Sequence, residues 1–106
     1  MNVTVIVNLQ VEGFHCWPKA PVHVDYLRHR HRHMFHIEAE KVVEHTDRDV
    51  EIITLKNGIQ QWLHNEYGGE FGTMSCEDIA KAILVKYDLG KCTVLEDGEN
   101  GGRVYR

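Results

Sequence analysis

The chain has 106 residues, a formal net charge of -4 and 42% hydrophobic residues, the size of one domain with a modest core. An acidic whole argues against a general nucleic-acid or membrane binder, because both need a broad cationic face. Three cysteines without CxxC spacing (Cys16, Cys76 and Cys92) argue against a disulfide scaffold and for a reduced, cytoplasmic protein.

The N-terminal "MNVTVIVNLQVEG" alternates Val3, Val5, Val7, Leu9 and Val11 with mostly polar neighbours, which predicts a half-buried strand ended by Gly13. It has no basic n-region and no continuous apolar stretch, so neither a signal peptide nor a transmembrane helix is expected. Residues 14–28 contain Pro18, Pro21 and Trp17 and read as a long loop. From His31 to about Glu44 the alternation returns, with Phe35, Ile37, Ala39, Lys41 and Val43 on one face and His31 and His33 extending it. This predicts a second strand, antiparallel to the first. Asp47 to Asp49 form a turn, Glu51 to Thr54 read as extended, and Leu55, Ile59, Trp62 and Leu63 take helical spacing up to Gly68-Gly69. "SCEDIAKAILVKYDLG" is the clearest helix, with Ser75 as N-cap, Asp78 three residues on, and Gly90 at the C′ position. "KCTVLE" and "RVYR" read as two short strands joined by the glycine-rich "DGENGG". The order is ββααββ, a single α+β domain over residues 1–106.

The stretch "LRHRHRHMFH" carries the chemistry. On a strand, residues two apart share a face about 7 Å apart, so His31-x-His33 can offer two imidazoles to one metal ion. Zinc takes three or four ligands, and His15, just past the first strand, is the candidate for the third. Spacing alone leaves a solvated polar strand open as an alternative. Arg28, Arg30 and Arg32 interleave with His29, His31 and His33; they read as a solvated face or as partners for an anionic ligand group. No aromatic platform accompanies them, which argues against nucleic acid.

Taken together, "FHCW", "HRHMFHIEAE", "MSCEDIAKAIL" and "CTVLEDGENGGRVY" resemble, in the right order, the motifs of the 6-pyruvoyl-tetrahydropterin synthase and 6-carboxy-tetrahydropterin synthase family. These are tunnelling-fold (T-fold) enzymes of pterin and queuosine-precursor synthesis. The resemblance implies a T-fold, an antiparallel four-stranded sheet with two helices on one face, assembled into homo-trimers or hexamers. It implies Zn2+ held by His15, His31 and His33, and Glu96 as the carboxylate that binds the 2-amino-4-oxo edge of a pterin. It also implies a lyase acting on a dihydroneopterin triphosphate-type substrate. The family's catalytic cysteine precedes its His-x-His motif, where this chain has "HVDYLR" and no cysteine. The candidates for proton transfer are therefore Cys16, Asp25, and His64 from a neighbouring subunit. A second reading is a T-fold protein that binds a pterin or purine without turnover. A third is an interaction protein whose histidines hold no metal.

Overall fold

A computed structural model describes all of residues 1–106. Two long strands, β1 (Val3–His15) and β2 (His31–Val43), form an antiparallel hairpin that pairs Val3 with Val43 and His15 with His31. β4 (Lys91–Glu96) adds antiparallel to β2, and β5 (Asn100–Tyr105) adds antiparallel to β4. Helix α1 (Ile52–Tyr67) and helix α2 (Cys76–Tyr87) lie between β2 and β4 in sequence. The architecture is a mixed α+β fold, as the alternation of periods in the sequence requires.

The sheet has five strands, in the order β3-β1-β2-β4-β5, where four were expected. The extra strand, β3 (Glu70–Gly72), pairs in parallel with the end of β1. It exists because the chain leaving α1 turns at Gly68 and Gly69, both at positive φ, and lies down beside Phe14 and His15. Phe14 N–H donates to Gly69 O at 2.8 Å and Cys16 N–H to Gly72 O at 2.9 Å. These bonds also carry β1 two residues beyond Gly13, the residue expected to end it.

One face of the sheet holds the core. Val7, Leu9, Phe35, Ile37 and Ala39 from β1 and β2 join Cys92 and Val94 from β4. Leu55, Ile59 and Leu63 of α1 and Ile79, Ala80, Ile83 and Leu84 of α2 cover them, so both helices pack on that face. Full burial of each large apolar side chain stabilises the fold by about 1.5–3 kcal/mol.

The helix ends depart from expectation in two places. Glu51 is itself extended, but Ile52 to Thr54, expected to continue it, are helical. The Glu51 carboxylate accepts from Ile53 N–H and Thr54 N–H, capping a helix that starts at Ile52. Helix α2 begins as expected, with Ser75 and Asp78 in a reciprocal capping box, but ends on Asp88 at φ 51° rather than on Gly90. Asp tolerates the left-handed region better than most residues, so it closes the helix two residues early. Gly90 instead donates its N–H to Glu40 O at 2.8 Å. The segment between β1 and β2 contains a 3-10 helix over Val22–Arg28 within the expected loop.

Candidate metal centre

His15, His31 and His33 occupy the core-side face at one end of the hairpin. His15 pairs directly with His31, while Gly13 lies opposite His33 and leaves that side free of a side chain. The imidazole centroids are 4.6, 5.0 and 5.3 Å apart. Phe35, two residues along β2, forms the floor, edge-on to His15 at 5.3 Å and to His33 at 5.7 Å. The expected convergence of the three histidines is therefore present in the fold.

Each ring is fixed through its Nδ1 atom. His15 Nδ1 donates to Met74 O at 2.8 Å, His31 Nδ1 to His29 O at 2.8 Å, and His33 Nδ1 to Asp97 Oδ2 at 2.7 Å. A carbonyl oxygen or a carboxylate can only accept, so the proton of each neutral ring sits on Nδ1 and the Nε2 lone pair is free. All three Nε2 atoms are buried and have no hydrogen-bond partner. Glu96 Oε2 reaches within 2.9 Å of His15 Nε2 and 3.4 Å of His33 Nε2, without hydrogen-bond geometry. Ligand atoms from His15, His31, His33 and Glu96 all lie within 4.8 Å of one another.

Four acceptors face one another with no donor between them. A buried acceptor left unsatisfied costs about 1–3 kcal/mol, and a cation placed among the four reverses the sign. Three imidazoles are a donor set for zinc that leaves a fourth position open, with Zn–N distances of about 2.0–2.1 Å, and the Glu96 carboxylate beside them adds a compensating negative charge. Carboxylate or carbonyl partners on the remote ring nitrogen are the arrangement that orients zinc-binding histidines. The residues present fit such an ion.

Beside the centre opens a cavity of about 590 Å³. His15, His31 and Glu96 line it, together with Cys16, Trp17 and Met74. Its charged lining consists of Glu77, Asp78 and Glu96, with no lysine or arginine. Glu77 leans over β5 where Gly102 leaves room: a Cβ there would come within 2.5 Å of Glu77 Cγ. Cys76 is buried at the same wall. Burial, reinforced by the charges of Glu96 and Glu77, pushes its thiol up to about 12.

Of the three residues expected to move protons, the fold brings one to the cavity. Cys16 is half-buried and lines it. Asp25 lies exposed on the 3-10 segment outside the lining. His64, in the last turn of α1, borders a different cavity with Gln10, Glu12 and Phe71. The arginines are engaged elsewhere. Arg28 Nε donates to Ala20 O, Arg30 pairs with Glu70 while lying over the Phe14 ring at 3.7 Å, and Arg32 Nε donates to Glu12 at 2.7 Å. The Arg30 bond holds the Glu70 carboxyl below the usual carboxylate range.

Sequence reasoning did not single out Asp97 or the Met74 and His29 carbonyls. Asp97 sits in "EDG", which reads only as a turn, and its carboxyl is held below the usual range by its bonds to His33 and Met34 N–H. His23 and His29 are exposed, and His36 lies on the opposite strand face, where its ring is the nearest neighbour of Gly98. No protein-family model matches the chain, and no curated protein matches it.

Proposed function

We propose that this protein is a zinc-dependent lyase of the 6-pyruvoyl/6-carboxy-tetrahydropterin synthase type, acting on a dihydroneopterin triphosphate-type substrate. The observation that carries the reading is the set of three buried Nε2 atoms, each freed by an Nδ1 bond and converging with one carboxylate. The sequential pairing β1-β2-β4-β5, with both helices on one face, agrees with a T-fold to which β3 is an addition.

Bound zinc supplies a Lewis acid that makes substrate hydroxyls more acidic. The chain's own residues do the rest. Glu96, at the cavity wall, accepts paired N–H bonds from the amino group and ring nitrogen of the heterocycle. Trp17, Leu27 and Met74 supply apolar wall for its ring. Cys16, next to His15, is the proton acceptor, since it is the one candidate of the three at the cavity of this protomer. A triphosphate tail meets no lysine or arginine in this cavity, so it points out of the mouth, and binding depends on the heterocyclic end.

Most of the outer edge of β1 and all of that of β5 are unpaired, which favours closure with other copies into a trimer or hexamer. His64 would then act from a neighbouring subunit. No helix is long and apolar enough to cross a membrane. The three free thiols suit a cytoplasmic protein, and the carboxylate-paired Arg30 and Arg32 leave no basic stripe for nucleic acid. A second reading, a T-fold protein that binds a pterin or purine without turnover, draws support from the placement of Asp25 and His64 away from the cavity.

The test is metal content by mass spectrometry on tag-free protein equilibrated with zinc, followed by binding of dihydroneopterin and turnover of its triphosphate. The expected result is about one zinc per chain, lost in His31→Ala. Glu96→Gln should keep the zinc and lose the heterocycle. Folded wild type that takes up no zinc overturns the proposal, and zinc with heterocycle binding but no product moves it to the second reading.

A further inference from the structure

The three ring orientations in this centre do not have the same origin. His15 and His31 are oriented by backbone carbonyls, those of Met74 and His29, which no side-chain substitution removes. His33 alone is oriented by a side chain, that of Asp97. Asp97 directly follows Glu96, at the first residue of the turn between β4 and β5, with φ at 55°. The register places Glu96 opposite Phe35, so the next residue emerges beside Met34 and His33. Asp97 N–H donates to Met34 O at 2.8 Å, and Met34 N–H donates back to Asp97 Oδ1 at 2.9 Å. The other carboxylate oxygen, Oδ2, accepts from His33 Nδ1 at 2.7 Å. Three bonds, two of them to its carboxylate, therefore lock Asp97 between the β2 backbone and the ring.

We propose that Asp97 is a positioning residue for the metal centre: its clamped carboxylate fixes the His33 tautomer and ring angle that aim the Nε2 lone pair at the ion. This rests on the metal reading above. The chemistry requires a carboxylate, because two N–H groups arrive at Asp97 from two directions and only a carboxylate accepts both. Asparagine has one acceptor oxygen. The Met34 N–H is fixed in the strand and keeps that oxygen, which leaves the amide N–H₂ facing His33 Nδ1. The ring then has to accept at Nδ1 and carry its proton on Nε2, where it blocks the ion. Asparagine also tolerates left-handed φ as well as aspartate does, so Asp97→Asn retains the turn while reversing one hydrogen bond. Loss of such an outer partner costs about 10–100-fold in metal affinity.

The experiment has two arms, on wild type, Asp97→Asn and Asp97→Gly. The first reads the His33 tautomer in the metal-free protein by long-range ¹H–¹⁵N NMR. The second measures zinc affinity by competition with a chromophoric chelator. Wild type should show the proton on Nδ1. Asp97→Asn should show it on Nε2, with zinc bound about 10–100-fold more weakly. Asp97→Gly, which suits the positive φ, should show a mixture of tautomers and weakened zinc binding. A merely structural role would lower the melting temperature and leave the tautomer alone. An Asp97→Asn protein with the Nδ1–H tautomer and wild-type affinity overturns the proposal. Wild type that binds no zinc sinks the metal centre and this role with it, whereas equal zinc binding by wild type and Asp97→Asn sinks the role alone.

Discussion

Gly13→Ala tests whether the centre depends on its aromatic floor. A Cβ at Gly13 would lie 2.4 Å from Phe71 Cε2, 2.7 Å from Phe71 Cδ2 and 3.1 Å from Phe35 Cε2. Carbon pairs settle at about 3.5–4.0 Å, so the Phe71 ring has to retreat by roughly 1 Å. It has little room, being 3% exposed, with its centroid 5.3 Å from that of Phe35 and 5.1 Å from that of Tyr67. Overpacking of this kind costs about 1–3 kcal/mol. The stiffer unfolded chain of the alanine variant returns about 0.4–1 kcal/mol. The net loss is about 1–2 kcal/mol, which for a domain of this size lowers the melting temperature by about 5–15 °C. The damage should also reach the candidate metal centre. Phe35, the residue pushed next, touches the His15 and His33 rings, and Gly13 faces His33 across the hairpin. Thermal and urea unfolding of Gly13→Ala, Phe71→Leu and the double variant give the coupling. The smaller side chain of Phe71→Leu should recover about 1 kcal/mol of the alanine's cost, because the methyl group and the ring compete for the same space. A Gly13→Ala protein as stable as wild type, or a double variant whose losses simply add, refutes the steric argument.

Two further outcomes follow from the protonation chemistry. The Glu51 carboxyl is held below its ordinary 4.5, chiefly by the Ile53 N–H and then by its bonds to Thr54, so its stabilising contribution is present above the unfolded value and disappears as pH falls through the lowered one. Glu51→Gln should therefore be less stable than wild type at neutral pH, with the gap closing in acid; a gap that stays constant across urea melts at both ends of that range rejects the capping role. The buried thiols of Cys76 and Cys92 are each pushed up to about 12, mainly by burial, whereas Cys16 borders the open cavity. Iodoacetamide on the native protein should add one group per chain, mapped to Cys16 by peptide mass spectrometry, and labelling of Cys76 or Cys92 without unfolding contradicts the burial described.

The parts of this fold legible in the sequence are those set by short-range periodicity. Alternation placed Phe35, Ile37 and Ala39 on the buried face and put His31 and His33 on the same face, because a strand permits only two directions. Antiparallel pairing then brought His15 opposite His31. The capping box at Ser75 and Asp78 is likewise a pattern within four residues. What stayed hidden depends on partners far along the chain. β3 is three residues between glycines, too short to show a period, and exists only because β1 is there to receive it. Arg30 and Arg32 read as a solvated face or as partners for an anionic ligand group; they are exposed, and their carboxylate partners Glu70 and Glu12 lie 40 and 20 residues away in the chain, beyond the reach of a local pattern. Glu51 fell outside the usual capping residues, and its role emerges only from the two N–H groups that its carboxylate reaches.

The same alternation that builds the core explains why the histidines form a site at all. Passing from Ile37 through Phe35 to His33 and His31, one strand face changes from aliphatic to aromatic to imidazole without leaving the buried side of the sheet. Imidazoles on the open face would satisfy Nε2 with water. Here the Phe35 floor and the neighbouring strand keep those lone pairs dry while Met74, His29 and Asp97 hold the other nitrogen of each ring. The metal-free fold therefore carries an unfavourable contact at this point, and an ion that relieves it stabilises the folded state by mass action, about 2.7 kcal/mol at a free concentration one hundred times its dissociation constant. That linkage requires zinc to raise the melting temperature of wild type by about 10 °C or more, and to leave His31→Ala unmoved. A wild-type melt insensitive to zinc, with the protein folded throughout, would mean that the three lone pairs are tolerated for packing alone.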